Sequence, residues 1–271
     1  MSFSGLATIL GGMDSQQWTQ LPSNNSFQDV RVTTTLHDQI VDSSGGANFW
    51  GTNGPEAVFD AWNSSAYDAD GNRMFFFGGG HANYGGNEVY SFDFDTLEWS
   101  RLSDPAPLTQ ADGPDGHMIP ENTPLAPHTY DGLVWNSTAE TLWLTNTGVG
   151  FASDLGSPHA PTESNIWEFD PATGDWTAHG SAKTLYRSSS VFIETTDELL
   201  VLSNNRYGEV SPVVIDADGG ATHGETTELA TFSGHTGRID ASLFENPLTG
   251  TLYQARKNGI TQLQTTTDVN G

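Results

Sequence analysis

This 271-residue chain contains no cysteine, so histidine is its most versatile residue for acid–base catalysis and metal binding. Without cysteine, disulfides, thiolate metal sites and thiol nucleophiles are excluded. His81 follows three glycines, which permit close backbone approach, and His128 opens a predicted innermost strand. A histidine pair can act as general acid and base. We therefore predict His81 and His128 as catalytic candidates. The alternative is that each one hydrogen-bonds the backbone of a neighbouring structural unit.

No HxH or HExxH spacing occurs among the histidines, so the sequence predicts no metal site. Two acidic turns, at 68–72 and 216–219, resemble the start of a calcium loop. The glutamate that an EF-hand needs at its twelfth position is missing from both, which predicts ordinary hairpin turns. We expect no firmly bound cofactor, although the acidic surface is compatible with loosely bound calcium.

Basic residues are scarce: 9 Lys and Arg stand against 34 Asp and Glu, giving a net charge of -25. This charge argues against nucleic acid as a partner, because Lys and Arg must neutralise phosphate. It also argues against adsorption on an anionic membrane. No run approaches the ~20 apolar residues needed to span a bilayer, and the N-terminus is a poor signal peptide. We expect neither membrane insertion nor binding of nucleic acid.

Strand patterns and turn signals dominate the chain, and they repeat. The first unit predicts strands at 61–67, 73–79, 87–93 and 98–102, joined by turns rich in Asp, Gly and Asn. Similar units begin near His128, Tyr186 and Thr236. Their second strands are spaced by 68, 57 and 53 residues. Four-stranded repeats of this period indicate a β-propeller.

The first two repeats carry a more specific pattern. MFFFGGG (74–80) is followed by NEVYSFDFDTLEW (87–99), and NIWEFDPATGDW (165–176) repeats the second half. An apolar strand, a glycine pair and a spaced Tyr and Trp resemble the kelch family. GGGHANYGGNEVY and the later HTYD are similar to uncharacterised kelch-like proteins of bacteria and bacteriophages. The resemblance covers roughly 58–178 and implies a kelch-like β-propeller more firmly than any activity.

The predicted fold is therefore all-β, a single propeller domain over 1–271 with about four blades of four antiparallel strands. The fourth repeat supplies only three strands, so 16–22 is expected to close the last blade. Alternatively, the chain is a truncation of a larger propeller. Residues 23–57 are expected to form an irregular extension or inter-blade insertion, with 31–41 as an edge strand and exposed aromatics at Phe49 and Trp50.

In such blades the long loops and the blade-to-blade connections emerge on one face, where binding or chemistry usually occurs. Six of the nine basic residues and six of the eight histidines map there, including His179 but not His223. Such a face would attract an anionic sugar, with arginines as carboxylate clamps and tyrosines as stacking platforms. The alternative is that these are ordinary solvated loop residues. The predicted binding residues are His81, Tyr84, His128, Tyr130, His159, Arg187, Arg206, Tyr207 and Arg238.

The function predicted from these patterns is a non-enzymatic binding or structural propeller that contacts a surface glycan or the protein subunits of a larger assembly. A virion-associated or extracellular setting fits the absence of cysteine, the low lysine content and the surface rich in Thr, Asn, Gly and Ser. The first alternative is an enzyme acting on an anionic sugar, as an epimerase, lyase or hydrolase. The second alternative is a purely architectural subunit.

Overall fold

The computed structural model describes most of the chain, and those residues fold mainly as antiparallel sheet. The described residues are 21, 23–80, 82–110, 119–145, 165–181, 188–204, 210–228, 241–246, 248–256 and 259–263. The segment 16–22, expected to form a closing strand, lies almost entirely outside them.

Four antiparallel meanders follow one another along the described chain, as the turn pattern predicted. Sheet 1 consists of β1 (Ser65–Asp68), β2 (Arg73–Phe76), β3 (Tyr90–Asp93) and β4 (Glu98–Arg101). A two-stranded ribbon follows, made of β5 (Leu108–Gln110) and β6 (Ile119–Pro120). Sheet 2 consists of β7 (Leu133–Asn136), β8 (Thr141–Leu144), β9 (Asn165–Asp170) and β10 (Asp175–Ser181). Sheet 3 consists of β11 (Ser189–Ile193), β12 (Glu198–Asn204), β13 (Val210–Asp216) and β14 (Thr226–Glu228). Sheet 4 consists of β15 (Ala241–Asn246), β16 (Thr251–Arg256) and β17 (Gly259–Gln262).

The first acidic turn is a hairpin, as its sequence predicted. The Asp68 carboxylate accepts a hydrogen bond from the Gly71 amide at 2.9 Å and from Arg73 Nε at 2.8 Å. Asn72 adopts a positive φ of 49°, a conformation that asparagine tolerates better than most residues. The carboxylate thereby stabilises the turn between β1 and β2.

The first strands of successive sheets lie side by side. β1 contacts β7, β7 contacts β11, and β11 contacts β15. Asp131, just before β7, forms a parallel bridge with Ser189 at the start of β11. These strands therefore begin at a common end of the sheets, which we call the loop end. The opposite end carries the β1–β2 and β7–β8 turns and is called the turn end.

Apolar side chains fill the spaces between the sheets. Phe75 of sheet 1 stacks on Trp135 of sheet 2, with ring centroids 4.9 Å apart. Between sheets 2 and 3, Trp143 packs with Leu199 and other buried side chains. Leu200 continues the core toward sheet 4. Both faces of the inner sheets are thus buried, which explains the nearly continuous apolar runs in their strands.

The segment before sheet 1 is helical, so the prediction of an edge strand at 31–41 is wrong. The structure has α1 (Phe27–Val30), α2 (Thr34–Ser44), a 3-10 turn (Gly54–Glu56) and α3 (Ala57–Asp60). Thr33 caps α2 by accepting a hydrogen bond from the Leu36 amide at 3.2 Å, and Gly45 ends it in the left-handed conformation. These caps outweigh the β-branched residues that favour a strand.

This helical segment covers one face of sheet 1. The Phe27 ring packs against Tyr90 and Trp99 at centroid distances of 4.8 and 5.6 Å. Phe49, expected to be exposed, is fully buried, because it packs in the core beneath α2. Among the described helices, none is long and apolar enough to cross a membrane.

Candidate functional site

The starts of β1 and β7 are joined by a hydrogen-bonded seam at the loop end. Ser64 N donates to Thr129 Oγ1 at 2.7 Å, and Thr129 N donates to Asn63 Oδ1 at 3.0 Å. Tyr130 N donates to the carbonyl oxygen of Trp62 at 3.0 Å. Backbone amides that are paired in this way hold the surface rigidly, since opening it would leave polar groups unsatisfied.

Trp62 and Tyr130 occupy equivalent positions in this seam, each three residues before the first strand of its sheet. Both have positive φ angles, 50° and 49°. Bulky residues rarely adopt this conformation, and they keep it only where the surroundings impose it. The Trp62 side chain is 70% exposed, more than any other aromatic residue that the structure describes. Tyr130 is half-buried.

His128 lies beneath these two rings and is fully buried. Its Nδ1 bonds to the carbonyl oxygen of Ala61, which can only accept, so Nδ1 carries the proton. The imidazole ring lies 5.2 Å from the Trp62 ring and 5.9 Å from the Tyr130 ring, measured between centroids. This is the structural role that the sequence analysis gave as the alternative to catalysis: the histidine bonds the backbone of a neighbouring unit.

Tyr84 does not lie on the surface, although the sequence analysis placed it among the binding residues. Its side chain is fully buried, and its hydroxyl donates to Glu88 Oε1 at 2.8 Å. The reason is packing: Tyr84 fills the core under α2 against Phe49. Six other predicted site residues lie outside the described residues: His81, His159, Arg187, Arg206, Tyr207 and Arg238.

Glu88 is a buried carboxyl that ties the helical segment to sheet 1. Tyr90 also donates to its Oε1, at 2.6 Å, and the Val32 amide donates to the Tyr90 hydroxyl at 3.1 Å. Burial raises the pKa of Glu88 despite these hydrogen bonds. A Cβ on Gly86 would overlap the Tyr84 phenol and the Glu88 carboxyl, which are both buried, so this close approach requires glycine.

A second polar cluster lies between sheets 2 and 3, and the sequence pattern did not predict it. His179 Nε2 and His223 Nε2 lie 2.7 and 2.9 Å from the same atom, Oε2 of Glu168. Thr141 donates to the other oxygen at 2.7 Å, and the Trp143 ring stacks on His179 at 4.8 Å between centroids. The repeat pattern predicts only His179, and not His223, on the long-loop face. The β13–β14 turn brings the two together, because it reaches across from sheet 3 to sheet 2.

The electrostatics of this cluster favour an ionised glutamate. Burial disfavours the charged form of Glu168, but hydrogen bonds from His179, Thr141 and His223 outweigh it and hold the pKa of this carboxyl at about 2. We call the group of Glu168, His179 and His223 the inter-sheet clasp.

Two imidazoles and a carboxylate are ligand types that a divalent metal accepts, and their ligand atoms lie within 4.8 Å of one another. The proton position on His223 does not fit a metal, however. The Gly219 amide donates to His223 Nδ1 at 2.9 Å, so the proton of this ring is on Nε2 and faces Glu168. A metal-bound histidine needs the opposite arrangement. The clasp therefore joins two sheets by hydrogen bonds.

Comparison with known proteins places the chain in no family. No family model matches it, and no curated protein matches it. Solved structures, in contrast, include several that are similar in part. That of YjhT has a TM-score of 0.48 and 16% identity, over 72% of this chain and 58% of that one. A nidogen–laminin complex has a TM-score of 0.45 and 10% identity, over 71% and 55%. A fungal alcohol oxidase of the AA5 family, in complex with copper, has a TM-score of 0.44 and 15% identity, over 81% and 40%. The chain thus matches between 40% and 58% of the length of these structures.

Proposed function

We propose that the chain is a kelch-like β-propeller of about four blades, and that it acts as a non-enzymatic binding protein through its loop end. The successive four-stranded meanders and the neighbouring first strands support this architecture. The kelch-like pattern over 58–178 supports it as well. In this proposal the segment 16–22 supplies the fourth strand of the last blade. The partner is a surface glycan or a protein of a larger assembly, in a virion-associated or extracellular setting.

The exposed ring of Trp62 is the observation that carries the binding role. A tryptophan that is 70% exposed loses apolar contact with the rest of the protein, and its backbone is also held in an unfavourable conformation. The imposed backbone conformation is the stronger sign of a ligand contact, because strained residues cluster at binding sites. Because the surrounding seam is already rigid, little conformational entropy is lost when a ligand binds. His128, the one described histidine of the predicted catalytic pair, is buried and bonded, which favours binding over catalysis.

The binding function is tested by attaching a bulky polymer to one end of the protein at a time. The chain has no native cysteine, so a single introduced cysteine is the only thiol that reacts. Asp60→Cys places one thiol near Trp62 at the loop end, and Asp70→Cys places one in the exposed β1–β2 turn at the turn end. The two substitutions change charge equally. Each variant is coupled to a maleimide–polyethylene glycol and screened on glycan arrays and against surface proteins of candidate assemblies. The products are called the loop-end conjugate and the turn-end conjugate.

We expect the loop-end conjugate to lose binding and the turn-end conjugate to bind as the unmodified protein does. The reverse pattern, or equal binding by both conjugates, would contradict a loop-end site. Recovered glycans are also analysed by mass spectrometry. Chemically altered sugar would contradict the non-enzymatic role and would support an epimerase, lyase or hydrolase instead.

A further inference from the structure

The equivalent positions of Trp62 and Tyr130 point to a defined ligand class. Resting on the proposed function, we infer that these two side chains form a stacking platform for a pyranose ring, with Trp62 as its main contact. Nothing in the amino-acid pattern distinguished Trp62, because it falls inside the strand predicted at 61–67, whereas β1 begins only at Ser65. The structure instead exposes its ring at 70%, and its carbonyl accepts from the amide of Tyr130, whose side chain is half-buried.

A pyranose fits this platform because it is amphipathic. Its axial C–H groups form a small apolar face that packs on an aromatic ring, while its hydroxyls point outward to polar partners. Two exposed polar side chains lie close to Trp62 in the chain, Asp60 and Ser65. The arrangement of one large ring among short polar groups suits a ligand of this kind.

A protein interface would require a different surface. Protein partners bind contiguous apolar patches with a buried centre. The other exposed apolar side chains of the described residues lie elsewhere. Leu248 is in the β15–β16 turn, and Ile260 is in β17. Tyr67, on β1, is 48% exposed, but its hydroxyl donates to Asn72 in the β1–β2 turn. Phe244, on β15, stacks on Tyr253. Phe59 is close in sequence, but its ring packs on Phe76 and Trp99 over the face of sheet 1. Trp62 is thus set apart from these apolar groups.

The platform is preorganised by its backbone. The Trp62 carbonyl accepts from the Tyr130 amide at 3.0 Å, and the Ala61 carbonyl accepts from His128. Tyr130 and His128, the two residues next to Trp62, are therefore held in place before a ligand binds. The His128 ring supports both aromatic side chains from below, since it lies 5.2 and 5.9 Å from them. Affinity then depends on the ring itself and not on ordering of the loop.

The test compares the full chain with Trp62→Ala, Trp62→Phe and the control Leu248→Ala. Leu248 is also strongly exposed, at 91%, but lies at the turn end of sheet 4. The probes are arrays of neutral hexose, N-acetylhexosamine and uronate oligosaccharides, followed by titration of the best binder. We expect Trp62→Ala to bind about tenfold more weakly, Trp62→Phe to bind within about threefold of wild type, and Leu248→Ala to bind normally.

Intrinsic fluorescence gives a second readout that a merely structural role would not move. Sugar binding is expected to shift tryptophan emission to shorter wavelength in the wild type, and this shift is expected to vanish in Trp62→Phe while binding persists. Thermal unfolding of each variant checks that the fold is intact.

The outcomes separate this inference from the proposed function. Equal sugar binding by the wild type and Trp62→Ala would overturn the stacking platform while leaving loop-end binding intact. Binding of a protein but no sugar, lost in the loop-end conjugate, would also overturn the platform alone. If no partner is found whose binding is lost in the loop-end conjugate, both the stacking platform and the proposed binding function are overturned. Loss of uronate binding alone in Trp62→Ala would support stacking on an acidic sugar.

Discussion

At the scale of single residues, the described polar side chains mostly bond other parts of the protein. His128 bonds a backbone carbonyl, and Tyr84 bonds Glu88. Asp131 belongs to the same group: its Oδ2 accepts from the Leu243 amide at 3.0 Å, which links sheet 2 to sheet 4. These residues explain how the chain keeps polar groups in its interior, since each has a hydrogen-bond partner that offsets its burial.

Asp131 makes the stability of the protein depend on pH. Burial raises its pKa to about 7, although hydrogen bonds from Leu243, Ser242 and Ser190 oppose the change. Between its ordinary pKa and this value the folded state binds more protons than the unfolded state. The contribution of Asp131 to stability is therefore highest below about pH 4, falls as pH rises to 7, and remains lost above it.

Asp131→Asn removes this titration while keeping an oxygen that accepts from Leu243. We expect the variant to be more stable than the wild type by about 2 kcal/mol at pH 8, and to lose this advantage near pH 4. Urea unfolding at the two pH values measures the difference. A stability difference that does not change with pH would contradict a raised pKa at this residue.

At the scale of structural elements, the inter-sheet clasp connects two neighbouring strands of sheet 2 to a turn of sheet 3 that is distant in sequence. Glu168 lies on β9, His179 on β10, and His223 in the turn between β13 and β14. The clasp holds the polar outer part of the boundary between sheets 2 and 3, whose inner part is packed around Trp143. Because the carboxylate is partly buried, its removal leaves two imidazole N–H groups without their acceptor.

Glu168→Ala is expected to lower the free energy of unfolding by about 2–4 kcal/mol. Glu98→Ala, which removes an exposed glutamate from β4, is the matched control and is expected to change it by less than about 0.5 kcal/mol. Chemical denaturation measures both variants. A double-mutant cycle with His223→Ala is expected to show that the two losses are less than additive. If the two losses are fully additive, the hydrogen bond between Glu168 and His223 contributes nothing to stability.

At the scale of the whole molecule, the net charge of -25 has a consequence that no single contact shows. The described ion pairs are few and local, such as Arg73 with Asp68 and Arg101 with Asp104. Most acidic groups therefore repel one another across the surface, and this repulsion opposes the compact state. Salt screens such interactions over about 10 Å at ordinary ionic strength.

The melting temperature is accordingly expected to rise by about 3 °C between roughly 20 mM and 500 mM NaCl. Differential scanning calorimetry measures the change. An equal rise with lithium chloride would attribute it to screening and not to a specific sodium site. A melting temperature that falls with salt would show that attractive ion pairs dominate this surface.

The strands and their order could be predicted from the sequence because their causes are local. Alternating and continuous apolar runs, separated by Asp, Asn and Gly at turns, determine which residues form β1 to β4 and their counterparts. The four-repeat spacing followed from the same pattern. The helix α2 was missed because Thr33 and Gly45, which cap it, are also common in loops, and its β-branched residues favour a strand.

The candidate surface depended on tertiary structure. Whether Trp62 faces the core or solvent is decided by its positive φ, which the seam with residues 128–130 imposes. The meeting of Glu168 with His223 is decided by which face of sheet 2 packs on sheet 3. The sequence by itself determined the repeated strands, the scarcity of positive charge and the absence of thiol chemistry. Only the tertiary structure decided which aromatic ring is exposed and which histidines meet, because both depend on contacts between segments that are far apart in the chain.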